Sequence, residues 1–224
     1  MRPVPSFEAY VHGWSQLHGG YQRGRSRMVD AYLRVVYTLA RPFAAVSASP
    51  DLVTTLGLLV GVSVPFITDA KSPLAWLVGA AIVVASGVID GVDGAVAVLS
   101  SKTSRWGHVA DSLVDRLVEV AMLIALQRSG APAQVVLLGG VMTACQEYAR
   151  ARAAGVGLTD ITVVTVSERP TRIIATAIGF VGAAVVPQHS VTMVTGAAVA
   201  WAGLGVVGLV QMIVTVRRAL MSPQ

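Results

Sequence analysis

The chain has 224 residues, 54% hydrophobic and only 13% charged, with 17 Lys and Arg against 12 Asp and Glu for a formal charge of +5. Soluble domains carry about 25% charged residues, so this balance excludes a disordered chain and argues against a soluble globular enzyme. Basic residues beside long apolar runs point to anionic lipid headgroups rather than nucleic acid, and the single Cys145 excludes an intramolecular disulfide and a cysteine-based zinc site.

Residues 1–27 are polar, hold Trp14, His18, Gly19 and Gly20, and lack the apolar run of a cleavable signal peptide. They read as an irregular N-terminal segment. In residues 28–45 the apolar side chains Met28, Tyr32, Val35, Val36, Leu39 and Phe43 recur at helical spacing, with Asp30, Arg34 and Arg41 on the other side. This pattern predicts an amphipathic helix lying on the cytoplasmic leaflet, with Pro42 expected to end or kink it. A cytosolic packing helix is the alternative.

Six apolar segments follow, at 52–68, 74–99, 105–126, 131–153, 171–186 and 191–216. The first and fifth are short against the ~20 apolar residues a bilayer requires. Recurrent glycines, among them Gly57, Gly61, Gly139, Gly179 and Gly205, predict closely packed backbones. The expected fold is therefore all-α and integral to the membrane: six transmembrane helices over residues 49–220, preceded by the interfacial helix. Six spans place both termini on one side. That side carries Arg2, Arg23, Arg25, Arg27, Arg34, Arg41, Lys102, Arg105, Arg150, Arg152, Arg169, Arg172, Arg217 and Arg218, against Lys71 and Arg128 on the other. The basic side is cytoplasmic by the positive-inside rule. Trp76, Trp106 and Trp201 fall where interface anchors are expected.

The informative stretch runs from Asp90 to Asp115. Asp90 and Asp93 stand three apart near the end of the second span, and Asp111 and Asp115 four apart near the start of the third. Both spacings put a pair on one helix face, and the short connection at 100–104 makes the two helices antiparallel neighbours. An ionisable group inside a membrane helix costs ~2.5–3.5 kcal/mol on insertion scales, so four carboxylates need compensation. Carboxylate oxygens suit hard divalent cations such as magnesium, manganese or calcium, and the absence of a Cys or His pair argues against zinc. Solvated helix-end carboxylates are the bland alternative. Gly94 and Gly107, lacking side chains, let a ligand or a neighbouring backbone approach. His108 lies three residues before Asp111, within possible reach of the metals. Glu119 could extend the acidic set or pair with Arg116 or another helix, Glu147 could bond to Arg150, and Cys145 reads as a packing residue.

These residues resemble the signature of the CDP-alcohol phosphotransferases, D-x2-D-G-x2-A-R-x8-G-x3-D-x3-D. Asp90, Asp93, Gly94, Ala97, Gly107, Asp111 and Asp115 match seven of its eight fixed positions, and the eighth, where the family has Arg, is Val98. The segment SPDLVTTLGLL at 49–59 is similar to the family's Pro-x-x-x-Thr approach to its first span. The resemblance implies transfer of a phosphatidyl group from CDP-diacylglycerol to a polar alcohol with release of CMP, in phospholipid biosynthesis at the cytoplasmic membrane, with the site facing the cytoplasm. It implies Asp90, Asp93, Asp111 and Asp115 as ligands of magnesium or manganese, two ions being expected, and Asp115 as the base. It implies Asp51, Thr54, Gly94, Ser104 and Gly107 around the CDP-linked donor, and a homodimer. Because Val98 replaces the Arg associated with the donor, a non-catalytic member or a divalent-cation carrier is the alternative; Lys102, Arg105 and Arg116 are the residues that could substitute.

The fourth span ends in EYARARAAG and the fifth begins near SERPTR. Guanidinium groups bind phosphate bidentately, so Arg150, Arg152, Arg169 and Arg172 are candidates for a phosphorylated acceptor. The segment is similar to the actinobacterial phosphatidylinositol-phosphate synthases, which implies inositol phosphate, with glycerol phosphate second. Lipid-facing anchors are the alternative role for the four arginines.

Overall fold

The computed structural model describes residues 4–17, 20–158 and 164–221; His18 and Gly19 lie outside them. The described residues form helices and no strand. The helices are α1 (Phe7–Leu17), α2 (Arg27–Ala45), α3 (Pro50–Val62), α4 (Val64–Thr68), α5 (Pro73–Leu99), α6 (Arg105–Arg128), α7 (Ala133–Gly155), α8 (Arg169–Val185) and α9 (Ser190–Met221). Among the described residues, three stretches are long and apolar enough to cross a membrane by length and composition: Pro50–Thr68, Pro73–Leu99 and Pro187–Met221. The first is not one helix. Pro65 at the start of α4 has no N–H to donate, and the chain divides there into α3 and α4. Pro42, in contrast, does not end α2, which runs three residues further to Ala45.

The chain forms two compact units, one of residues 1–61 and 85–118, the other of residues 62–84 and 119–224. In the first unit the expectation of an irregular N-terminus is corrected: α1 is an ordered helix. Phe7, Tyr10, Val11 and Trp14 recur at the i, i+3, i+4, i+7 spacing of a packing face, and Tyr10 and Val11 are buried against Leu33, Val36, Ala40, Val92, Val96 and their neighbours. Tyr10 stacks on Tyr37 at 5.6 Å, and the Tyr37 hydroxyl donates to the Pro5 carbonyl at 2.9 Å. Burial pushes the Tyr10 hydroxyl pKa far above its ordinary value, with Tyr32 adding to the effect. Ser26 caps α2 by accepting from the Val29 N–H, while Tyr21 ties the preceding loop to Asp30 at 3.0 Å. At the other end of α2, Lys102 Nζ donates to the carbonyls of Ser47 and Ala48 at 2.9 and 3.4 Å. It thus holds the α2–α3 connection.

The second unit is built on small-residue contacts. A Cβ on Gly179 would stand 2.5 Å from Ala197 Cβ, and one on Gly205 would stand 2.9 Å from Met142 Cβ. α8 and α9, and α7 and α9, therefore approach at backbone distance. Their core holds Trp76, Phe180, Val194, Ala197 and Trp201. The two tryptophans correct the interface expectation: Trp76 and Trp201 are 4% and 1% exposed, and the Trp201 indole N–H donates to Thr143 Oγ1 at 2.9 Å. An indole whose polar edge finds a partner inside the bundle has no need of a headgroup. Trp106 is exposed, as is Cys145, which is not a packing residue. Gly130, at φ +120°, makes the turn between α6 and α7 that a side chain would strain.

Candidate active site

In the first unit, α5 and α6 deliver their carboxylates by the predicted spacing. Asp90, Asp111 and Asp115 each offer an oxygen, and the three oxygens lie within 4.8 Å of one another. The three side chains are half-buried. Three carboxylate oxygens this close, without a thiolate or imidazole in the cluster, form a donor set suited to a hard divalent cation. The residues present therefore fit such a metal.

Asp93, the fourth carboxylate, is tied to a third helix. It is 5% exposed and accepts from the Thr54 hydroxyl of α3 at 2.6 Å. The Thr54 oxygen also lies 3.1 Å from the Pro50 carbonyl, one turn back in α3. Thr54 and Asp93 thus join α3 to α5 next to the carboxylate cluster. Asp51 is exposed in the first turn of α3. Space at Gly94 is open, with no atom within 4 Å of where a Cβ would stand. Gly107 is less open. Ser104 Oγ lies 3.0 Å from its would-be Cβ and accepts the Gly107 N–H at 2.9 Å, capping α6. An Arg116 nitrogen is 3.9 Å from Asp115 Oδ2. His108 is exposed and is not part of the cluster.

In the second unit Arg150 and Arg172 sit in a network of carboxylates, of which spacing revealed only the Glu147–Arg150 pair. Arg172 Nε lies 3.1 Å from Glu119 Oε1, and an Arg172 Nη lies 3.3 Å from Glu147. The side chains of Arg172 and Glu119 are 2% and 3% exposed. Glu119 therefore pairs across to α8. Arg150 bonds Glu168 at 2.7 Å and lies 3.6 Å from Glu147, the i,i+3 pairing expected on α7. Arg169 is half-buried and Arg152 exposed.

Glu168 was not singled out by the sequence, and its position immediately before Arg169 and Pro170 at the head of α8 was the signal. Its carboxylate also accepts from the Thr165 N–H and hydroxyl, both at 2.8 Å. Burial alone would raise its pKa; the Thr165 N–H, the Arg150 guanidinium and the Thr165 hydroxyl outweigh burial and hold it below the ordinary glutamate value. Thr165 is in turn held by Gln146 Nε2 at 2.9 Å, and Gln146 Nε2 also reaches the Ser167 carbonyl at 3.3 Å.

An all-helical chain with apolar helices of membrane-spanning length, carrying a carboxylate cluster at a pair of adjacent helices, defines a membrane enzyme built around a hard-metal site. The chain belongs to the CDP-alcohol phosphatidyltransferase family, whose profile matches residues 47–217. It is a transferase of phospholipid biosynthesis by that membership. Among curated proteins it is 30% identical over 207 residues to the phosphatidylinositol phosphate synthase of Streptomyces avermitilis, covering 85% of this chain and 83% of that one. It is 31% identical over 152 residues to the archaetidylinositol phosphate synthase of Methanothermobacter thermautotrophicus, covering 66% of this chain and 74% of that protein. The fold is similar to the crystal structure of Mycobacterium tuberculosis phosphatidylinositol phosphate synthase with CDP-DAG bound, at a TM-score of 0.67 and 24% identity over 85% of this chain and 96% of that one. A second structure of that protein, in complex with manganese and citrate, matches with the same score over 84% and 90%.

Proposed function

We propose that this chain transfers a phosphatidyl group from CDP-diacylglycerol to a phosphorylated alcohol, releasing CMP, with inositol phosphate the favoured acceptor and glycerol phosphate second. The observation that carries this reading is the meeting of Asp90, Asp111 and Asp115 oxygens within 4.8 Å in a member of this family. The phosphatidylinositol phosphate synthase and the archaetidylinositol phosphate synthase among the curated relatives support the acceptor.

Asp90, Asp93, Asp111 and Asp115 would hold magnesium or manganese, two ions being expected, with Asp93 oriented by Thr54. When bound, such ions would supply charge neutralisation and Lewis acidity at the phosphoryl oxygens of a diphosphate. Asp51, Thr54, Gly94, Ser104 and Gly107 surround the CDP-linked donor, the open space at Gly94 admitting its backbone-level approach. A carboxylate oxygen of Asp115 takes the proton from the acceptor hydroxyl. The acceptor oxygen forms its bond to the phosphatidyl phosphorus, the bond to the bridging oxygen breaks, and that oxygen leaves with CMP.

Arg150, Arg152, Arg169 and Arg172 receive the acceptor's phosphate. They divide by exposure. Arg150 and Arg152 reach solvent, whereas Arg172 engages phosphate only by exchanging a carboxylate partner. The membrane arrangement is six spans over residues 49–220 with the helix at 28–45 on the cytoplasmic leaflet, residues 1–27 ahead of it, both termini cytoplasmic, and two copies forming a homodimer.

The test is CMP release by the purified full-length chain from CDP-diacylglycerol in magnesium or manganese, against inositol phosphate, glycerol phosphate, inositol and serine. Release that is fastest with inositol phosphate supports the reading. No release with any of the four acceptors overturns it, and movement of metal into vesicles without nucleotide would favour a carrier.

A further inference from the structure

The open face of α5 at Gly94 ends one turn further on. Val98 lies four residues after Gly94, on the same side of the helix. There the face is covered: a Cβ added to Gly13 of α1 would stand 3.0 Å from Val98 Cγ1, tighter than ordinary van der Waals contact. Val98 packs with Trp14 on the cluster that buries Tyr10 and Val11.

α1 is fixed in this position by several independent contacts. Tyr10 stacks on Tyr37, Phe7 meets the Tyr37 ring edge-on at 5.3 Å, Ser15 Oγ donates to the Tyr21 carbonyl at 2.7 Å, and Glu8 pairs with Arg23. A long side chain at position 98 that followed the direction of Val98 Cγ1 would run into the helix at Gly13. Any side chain larger than hydrogen at position 13 would press on Val98. The departure of Val98 from the family signature and the glycine in α1 are thus two halves of one fit.

We propose that α1 is a wall of the donor-binding region, seated by Gly13 and Val98 as a size-matched pair, and that this pair sets the space available to the CDP-linked donor beyond Gly94. Gly13 and Val98 are positioning residues here. The inference rests on the proposed role of Gly94 in donor binding.

The test uses the full-length chain in lipid nanodiscs with Val98→Arg and, from the other side of the contact, Gly13→Leu. Amide hydrogen exchange over residues 7–17 reads the seating of α1, and donor KM against kcat for CDP-diacylglycerol reads the wall. Both variants are expected to speed exchange in α1 by about tenfold. They should also shift donor KM by about fivefold with kcat little changed. Val98→Ala, which relieves rather than creates crowding, should keep α1 protected. Unchanged α1 protection in both large variants overturns the size-matched pair. Faster exchange with an unmoved donor KM overturns the wall. A wild-type chain that turns over no CDP-diacylglycerol fails at the proposed function itself and removes the donor role, while the exchange data decide the pair on their own.

Discussion

The Arg172–Glu119 pair gives the sharpest energetic prediction. Both side chains are almost completely buried, the nitrogen–oxygen distance is 3.1 Å, and Glu147, 26% exposed, supplies a second carboxylate at 3.3 Å. Removing the guanidinium in Arg172→Met takes from the buried Glu119 the cation that stands 3.1 Å away. Breaking a buried pair from one side costs about 3–5 kcal/mol, and a loss near the low end, about 3 kcal/mol, is expected here. Glu119→Met should cost less, because Arg172 keeps Glu147 and sheds only one partner. In the double variant Glu119→Met/Arg172→Met neither buried charge remains, and most of the loss should return, since apolar replacement of a buried pair is often neutral or stabilising. The assay is reversible unfolding in mixed micelles across the four chains of this double-mutant cycle. A single Arg172→Met variant within about 0.5 kcal/mol of wild type, the range of an ordinary surface substitution, would refute the argument, as would a double variant no more stable than Arg172→Met.

Asp115→Asn should abolish CMP release while manganese binding, read by isothermal titration, weakens without disappearing, because Asp90 and Asp111 still offer their oxygens. Gly179→Ala should lose about 1–3 kcal/mol by overpacking against Ala197, measured in the same unfolding assay, whereas Gly196→Ala, with nothing within 4 Å, should be neutral or slightly stabilising. Glu168 should make stability acid-sensitive: its folded pKa lies below the ordinary 4.5, so its contribution is complete above that value and is lost as pH falls through the lower folded one. In Glu168→Gln that part of the acid limb should vanish from an unfolding-versus-pH series.

The carboxylate cluster was legible because its spacing is a helical one. Three-residue and four-residue steps on two helices joined by a short turn leave little freedom in where Asp90, Asp111 and Asp115 go. What spacing did not reveal was the turn of Asp93 toward Thr54, since a hydrogen bond between α3 and α5 depends on how those helices are rotated. α1 had a visible signal in Phe7, Tyr10, Val11 and Trp14, but the polar average of the first 27 residues concealed it. The tryptophans misled for a different reason. Position near a span end does not fix which way an indole faces: Thr143 gives the Trp201 N–H an internal acceptor, and Trp76 is buried in the same core. Among the arginines' partners, Glu147 was legible as the i,i+3 neighbour of Arg150, whereas the meeting of Glu119 with Arg172 and of Glu168 with Arg150 joins separate helices and a loop and follows from packing.

Gly208 of α9 has an effect out of proportion to its size. A Cβ there would come within 2.6 Å of Gln146 Oε1 and 2.7 Å of Ser167 Cβ. Gln146 grips Thr165, Thr165 grips Glu168, and Glu168 grips Arg150. A single methyl group at position 208 would therefore be felt at a guanidinium four links away. If the arginines hold the acceptor as proposed, a chain altered there would bind a phosphorylated acceptor poorly with every arginine still in its sequence, and a search for the fault among the charged residues alone would overlook the filled notch.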